Sequence, residues 1–286
     1  MLKSRQVCLR STVTLSCSSL GSLNHSFPSL LNTLRRIKVD SASYEDIVST
    51  DDGSLLEGAI STGCVSLDKL LGGGLPKGGV SLVYGEAETG KTSFAIQCAV
   101  NCARTDCKTV FIDSDGTFSS RRLLQIAYRD IEKISPLIIL FRPTTFQEQR
   151  NVIDHLEKYL TEKAGLVIVD TITSLYRAEL GNSQKETFEL NRQLNTQLAY
   201  LAQIAKTQKV AVLVTSQVRS ILMEQQTDVE PVATRVLKFW SDIVLRFRRT
   251  GQMQMVRVVL EKHPKFRQPP SRFLVIDRTG VRDFSR

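Results

Sequence analysis

The sequence predicts an α/β fold, a mostly parallel sheet flanked by helices with an antiparallel meander at its C-terminal end, and three observations carry that expectation. Residues 80–84, 109–113, 137–141, 166–170 and 210–214 are short, near-continuous apolar runs, the pattern of strands covered on both faces rather than one. Between the last two runs, ETFELNRQLNTQLAYLAQIAKTQ places Leu190, Leu194, Leu198, Leu201 and Ile204 on one helical stripe, as a crossover helix packed on such a sheet requires. The third observation is the string GEAETGKT over residues 85–92. It fits G-x-x-x-x-G-K-[ST] directly after the first strand, and it opens a helix through Phe94, Ala95, Cys98 and Ala99.

That string implies phosphate chemistry. Glycines at Gly85 and Gly90 let backbone amides of Glu86, Ala87, Glu88, Thr89 and Ser93 turn inward around a polyanion, and the helix start adds its positive end. Lys91 would reach the β and γ phosphates of ATP, and Thr92 would offer its hydroxyl to Mg²⁺. Two carboxylates inside an anion site are unusual, so Glu86 and Glu88 are expected to point into solvent and to weaken phosphate affinity somewhat. Asp170 ends the apolar run 166–170, where it would hold the same Mg²⁺ through water. In FIDSDGT, after the next strand, Asp115 is the candidate for positioning an attacking water, although Ser-Asp-Gly also reads as an ordinary turn.

Beyond residue 217 the runs 241–249, 253–260 and 272–276 lie close together with Thr250-Gly251 as a turn, and they are expected to extend the sheet antiparallel at one edge. Here Arg246, Arg248, Arg249 and Lys262 crowd together with few acids. With a net charge of +9 and a pI near 9.3, phosphate-backbone contact with DNA is the expectation, against a plain solvated strand face. Six cysteines without C-x-x-C and three scattered histidines argue against a zinc site or a disulfide framework and for reduced thiols. No apolar run approaches bilayer length, so a cytoplasmic protein without membrane contact is expected. Residues 1–40 are rich in serine and free of carboxylates before Asp40; they read as a transit peptide, a basic tail or an early start, and organellar import follows only if that extension is real. Residues 41–57 read as a linker and 58–286 as the core.

Residues 60–75, with STGCVSLDKLLGGGL, residues 170–179, with DTITSLYRAE, and the strand end Val-Thr-Ser-Gln-Val at 214–218 resemble the RecA-like recombinase family, and within it the archaeal RadB branch. The resemblance implies a RecA-like ATPase core that binds ATP and Mg²⁺. It implies that Gln217 senses the γ-phosphate, that Arg122 stacks on adenine, that Arg219 opens the DNA-binding loop, and that Lys262 of Lys-His-Pro reaches a neighbour's nucleotide. Asp115 stands where recombinases of the family place a glutamate, so slow hydrolysis is expected. The first forty residues show no helical periodicity for the family's N-terminal domain, and none of the phenylalanines is followed by alanine three places on. An oligomer is allowed, but long self-filaments are not expected. The implied role is an accessory recombinase with weak ATPase activity, assisting a RadA-type partner recombinase on single-stranded or branched DNA. The alternatives are a strand-exchange recombinase forming filaments on single-stranded DNA and a KaiC-type signalling ATPase.

Overall fold

A computed structural model describes residues 58–284 other than 162, 182, 224–225 and 265–269, with backbone alone for 219–231. The expectations for residues 1–40 and 41–57, and for the side chain of Arg219, lie outside the described residues. Two short strands, β1 (Ala59–Ile60) and β2 (Leu75–Pro76), bracket helix α1 (Val65–Leu71). The core then runs β3 (Val80–Gly85), α2 (Lys91–Arg104), β4 (Lys108–Asp113), α3 (Ser120–Ala127), α4 (Ile131–Ile134), β5 (Ile138–Phe141), α5 (Phe146–Asp154), β6 (Ala164–Asp170), α6 (Ser174–Glu179), α7 (Gln184–Gln208) and β7 (Ala211–Ser216). A hairpin of β8 (Val218–Met223) and β9 (Gln226–Pro231) follows, then α8 (Thr234–Trp240) and β10 (Ile243–Arg249), β11 (Met255–Lys262), β12 (Ser271–Asp277) and β13 (Gly280–Asp283).

Nine strands form one sheet in the order β13-β12-β11-β10-β3-β7-β6-β4-β5. Every residue of β3 and β7 is buried, which explains why their sequences do not alternate: both faces are covered. One face packs on α1, α2 and α3, with Phe94, Ile96 and Val100 against Phe111, Leu213 and Phe247. The other packs on α5, α7 and α8, and all five stripe residues of the crossover helix lie in this second core.

The meander differs from expectation at its first strand. β10 pairs in parallel with β3, and the antiparallel ladder begins only at β11. Asp242 sets that direction: its amide donates to the Val80 carbonyl at 2.8 Å, and its Oδ2 accepts from the Val80 amide at 2.8 Å, so β10 and β3 start from the same end. β13, with four residues and no apolar run, is not legible in the sequence; it is held by Gln97 of α2, which donates to the Val281 carbonyl and accepts from the Val281 amide.

Cys64, Cys98 and Cys102 are buried free thiols and Cys107 is half-buried; burial pushes the Cys64 thiol up to about 12 and that of Cys102 to about 11. No cluster of metal-ligating side chains occurs among the described residues, and no helix of theirs is long and apolar enough to cross a membrane.

Candidate nucleotide site

The carboxyl ends of β3, β4, β6 and β7 converge on a cleft of about 600 Å³, lined among others by Gly85, Gly90, Lys91, Thr92, Asp115, Arg177, Gln217 and Ile276. That edge is where an open parallel sheet places its ligands. Residues 85–92 form the loop between β3 and α2. At Gly85 a Cβ would sit 2.3 Å from the Phe247 carbonyl oxygen of β10, and at Gly90, with φ of +85°, it would meet Ile276 Cδ1 at 2.4 Å. No side chain fits at either position, so the backbone of the loop stays bare toward the cleft.

Lys91 is buried, and its ammonium donates to the carbonyls of Gly85 at 2.9 Å and Glu86 at 2.7 Å. Burial lowers its pKa, against the pull of Asp170 and Asp115. The ammonium is therefore held on the loop's own carbonyls at the wall of the cleft. Thr89 braces the turn by donating to the Glu86 carbonyl at 2.8 Å. Glu86 and Glu88 are exposed enough to face solvent as expected, but Arg249 holds both: its guanidinium lies 3.1 Å from a Glu88 oxygen and 3.9 Å from a Glu86 oxygen. It also donates twice to the Ala87 carbonyl, at 2.7 and 3.1 Å. Arg249 thus stands over the phosphate loop, a place its position on β10 does not reveal.

Asp170 is fully buried at the end of β6. One carboxylate oxygen accepts from Thr215, the other has no hydrogen-bond partner, and burial pushes the group up to about 6. Its nearness to the Thr92 hydroxyl works the other way, favouring the charged form. An orphaned carboxylate oxygen beside a threonine hydroxyl fits a hard, oxygen-loving divalent ion. Thr92 and Asp170 are the residues that would hold Mg²⁺.

Two aspartates, Asp113 at the end of β4 and Asp115 just after it, divide their work. Asp113 is buried and anchors the turn, accepting from the amides of Thr117 at 2.9 Å and Phe118 at 3.2 Å and from Arg142 at 3.2 Å. The turn presents Asp115 to the cleft, where its Oδ1 accepts from the Ser174 hydroxyl at 2.5 Å and from Gln217 Nε2 at 3.3 Å. Arg177 of α6 closes the group by donating to Gln217 Oε1. Ser174 and Arg177 belong to the segment 170–179 that carries the resemblance, but their individual roles are not legible there; the short, uncapped helix that holds them is placed at the cleft by the fold.

The remaining candidates separate. Arg122 donates to Ser93 Oγ at 3.0 Å and to the Asp277 carbonyl at 2.6 Å, so it ties the phosphate-loop helix to the β12–β13 turn. Arg246 is buried, within 5.9 Å of the Tyr84 ring centre and 3.7 Å from Glu261. Lys262 donates to the carbonyls of Lys238 at 2.9 Å and Ser241 at 2.6 Å, at the end of α8, where a cation complements the helix dipole. Arg248 and Arg249 are exposed, but Arg249 is turned to the phosphate loop.

Comparisons with known proteins agree with this architecture. A solved structure described as the RadB recombinase superposes with a TM-score of 0.68 at 33% identity, over 79% of this chain and all of that one. The DNA repair and recombination protein RadB of Pyrococcus furiosus is 37% identical over 207 residues, 71% of this chain and 86% of the relative. The protein of the same name from Methanococcoides burtonii is 35% identical over 188 residues, 66% of this chain and 82% of the relative. The family model described as Rad51 matches residues 57–284, nearly the whole described core. By that match, and by its similarity to the RadB proteins, this chain belongs to the Rad51 family of RecA-like proteins.

Proposed function

We propose that the protein is an ATP- and DNA-binding accessory recombinase with weak ATPase activity, which assists a RadA-type partner in homologous recombination and DNA repair. The observation that carries this reading is the contact between Asp115 and Gln217 inside the phosphate cleft. Gln217 joins β7 directly to the β8–β9 hairpin, so a group that faces the nucleotide also begins the segment the family resemblance gives to DNA. The names of the relatives, DNA repair and recombination proteins, point the same way.

Each residue has a physical task in this scheme. Backbone amides of residues 86–92 bind the phosphates, and Lys91 leaves the Gly85 and Glu86 carbonyls to neutralise them. Mg²⁺, when bound with ATP, supplies charge neutralisation between the β and γ phosphates. Asp115 accepts a proton from the attacking water and orients it, while Ser174 and Gln217 hold the carboxylate. Its short side chain makes that orientation poor and turnover slow. A change in the Gln217 bond is transmitted to β8 through one peptide link.

The test is binding of labelled ATP with Mg²⁺ by the full chain and its Lys91→Ala variant, with labelled single-stranded DNA titrated over a salt series. Retention of ATP that is lost with Lys91→Ala, and DNA affinity that falls steeply with salt, support the proposal. Absence of DNA affinity at low salt ends it, and a hexameric ring indifferent to DNA would favour the signalling reading instead.

A further inference from the structure

Helix α2, which opens at the phosphate loop, ends in a turn that brings Cys102 and Cys107 together. The Cys102 carbonyl accepts from the Thr105 amide at 3.1 Å, the Thr105 hydroxyl at 2.8 Å and the Cys107 amide at 3.3 Å. Asp106 reverses the chain there with φ of +63°. An amide-to-carbonyl bond between the two cysteines holds their Cα atoms near the roughly 4.4–6.8 Å that a disulfide spans. The turn is therefore set before any bond forms between the sulfurs.

Both thiols lie against one spot on β6. Lys108 pairs with Ala164 and Thr109 with Leu166, so the register slips by one residue and Gly165 faces no residue of β4. A Cβ on Gly165 would lie 2.8 Å from Cys102 Sγ, 2.8 Å from Cys107 Cβ and 3.5 Å from Cys107 Sγ. Only a glycine at that bulge leaves room for the two sulfurs. Cys102 Sγ lies 3.9 Å from the Cys107 carbonyl oxygen, and the Cys107 thiol is a hydrogen-bonding neighbour of the Cys102 thiol. The two differ in access. Cys102 is fully buried, and burial pushes its thiol up to about 11, whereas Cys107 is half-buried and reaches solvent.

We propose that Cys102 and Cys107 form a reversible redox site, reduced at rest and closed into an intrachain disulfide by hydrogen peroxide. The Cys107 thiolate attacks one peroxide oxygen, the O–O bond breaks, hydroxide leaves, and Cys107 becomes a sulfenic acid. The Cys102 sulfur then attacks the Cys107 sulfur, the S–O bond breaks, and the departing hydroxide takes the Cys102 proton as water. Two thiols thus give two electrons to one peroxide, and a small dithiol reverses the bond. Closure ties the last turn of the phosphate-loop helix to the start of β4. The proposal stands apart from the DNA-binding reading above.

The test treats the full wild-type chain with hydrogen peroxide, alkylates the remaining thiols and digests with trypsin without reductant. Cuts after Lys91, Arg104 and Lys108 release residues 92–104, with Cys98 and Cys102, apart from residues 105–108, with Cys107. The two peptides are expected to be joined, with fragmentation placing the bond at Cys102, in a chain that still runs as a monomer on a non-reducing gel. Dithiothreitol before the digest is expected to separate them. Cys102→Ala is expected to leave Cys107 as a sulfenic or higher acid, because no second thiol then resolves it. In the oxidised chain the amides of residues 105–109 are expected to exchange hydrogen about tenfold more slowly. Full alkylation of Cys107 after peroxide overturns the proposal. So does a bond from Cys107 to Cys8, Cys17 or a second copy, and unchanged exchange in the oxidised chain overturns the tie between helix and strand.

Discussion

The guanidinium of Arg249 lies 3.1 Å from the carboxylate of Glu88, across the mouth of the phosphate loop. The pair answers how an anion site tolerates two acids: a cation from the neighbouring strand cancels part of their field. Removing that cation leaves Glu86 and Glu88 uncompensated. Arg249→Ala is expected to weaken ATP binding about three- to fivefold, Glu88→Ala to leave it within about 1.5-fold, and the double change to return near wild type, since exposed pairs are worth on the order of 1 kcal/mol or less. Titration with a fluorescent ATP analogue in the four combinations measures the coupling. An additive cycle would mean that the contact does not bear on the nucleotide.

Asp170 makes stability depend on pH in the absence of Mg²⁺ and nucleotide. Its carboxyl is raised to about 6 by burial, from an ordinary value near 4. The folded state therefore holds the proton more tightly than the unfolded chain. The group costs nothing below pH 4, costs progressively more as pH rises toward 6, and costs its full amount above that. Two units correspond to about 3 kcal/mol. Asp170→Asn has no such titration, so its stability relative to the wild type is expected to rise by about that amount between pH 4 and pH 7. Denaturant unfolding at the two pH values checks this. The same variant is expected to lose the extra stability that Mg²⁺ with ATP gives the wild type.

Asp115 reaches the cleft one methylene shorter than the glutamate that the family resemblance implies for this place, and its Oδ1 is held by Ser174 at 2.5 Å. Lengthening the side chain extends the carboxylate further into the cleft that Asp115 lines. Asp115→Glu is expected to raise kcat by about tenfold or more with KM within about twofold, because a group that orients water acts on the chemical step rather than on binding. Steady-state phosphate release measures both constants. An unchanged kcat would favour a recombinase already competent with aspartate.

The residues legible in the sequence share one property: their neighbours in the site are their neighbours in the chain. Gly85 to Thr92 is a strand end, a turn and a helix start in succession, and Asp170 and Gln217 close apolar strands that can only end at the same edge of a parallel sheet. Ile276 enters the cleft from an element far away in sequence, and although Ser174 and Arg177 lie in the segment 170–179 that carries the resemblance, only the fold shows that their side chains meet Asp115 and Gln217. Arg246 and Arg248 show the converse failure. Two apart on β10, they face the same side of the sheet, and composition treats them alike. Yet α8 and the Tyr84 ring cover the sheet at Arg246, with Lys238 and Glu261 around it, and that cover stops before Arg248. Whether an arginine on a strand meets solvent depends on where the overlying helix ends, and for a seven-residue helix that is a tertiary property.

Gln97 joins the two parts of the fold that make the site. Its amide donates to the Thr62 carbonyl at 2.7 Å and the Val281 carbonyl at 2.8 Å, and its oxygen accepts from the Val281 amide at 2.6 Å. One buried side chain thus fastens the segment before α1 and the last strand to the phosphate-loop helix. Leucine has a similar volume but no polar atoms, so Gln97→Leu would strand two carbonyls and an amide in the core. Each such group costs about 1–3 kcal/mol, and a loss of about 3–5 kcal/mol in chemical unfolding is expected. Because Ile276 and the β12–β13 turn also touch Gly90 and Arg122, β13 is expected to loosen together with the nucleotide site. Hydrogen exchange of the variant should show lost protection in β13 and in the first turn of α2, with β5 and β6 unchanged. Loss spread evenly over the whole sheet would mean that Gln97 stabilises the domain without linking its edge to the phosphate loop.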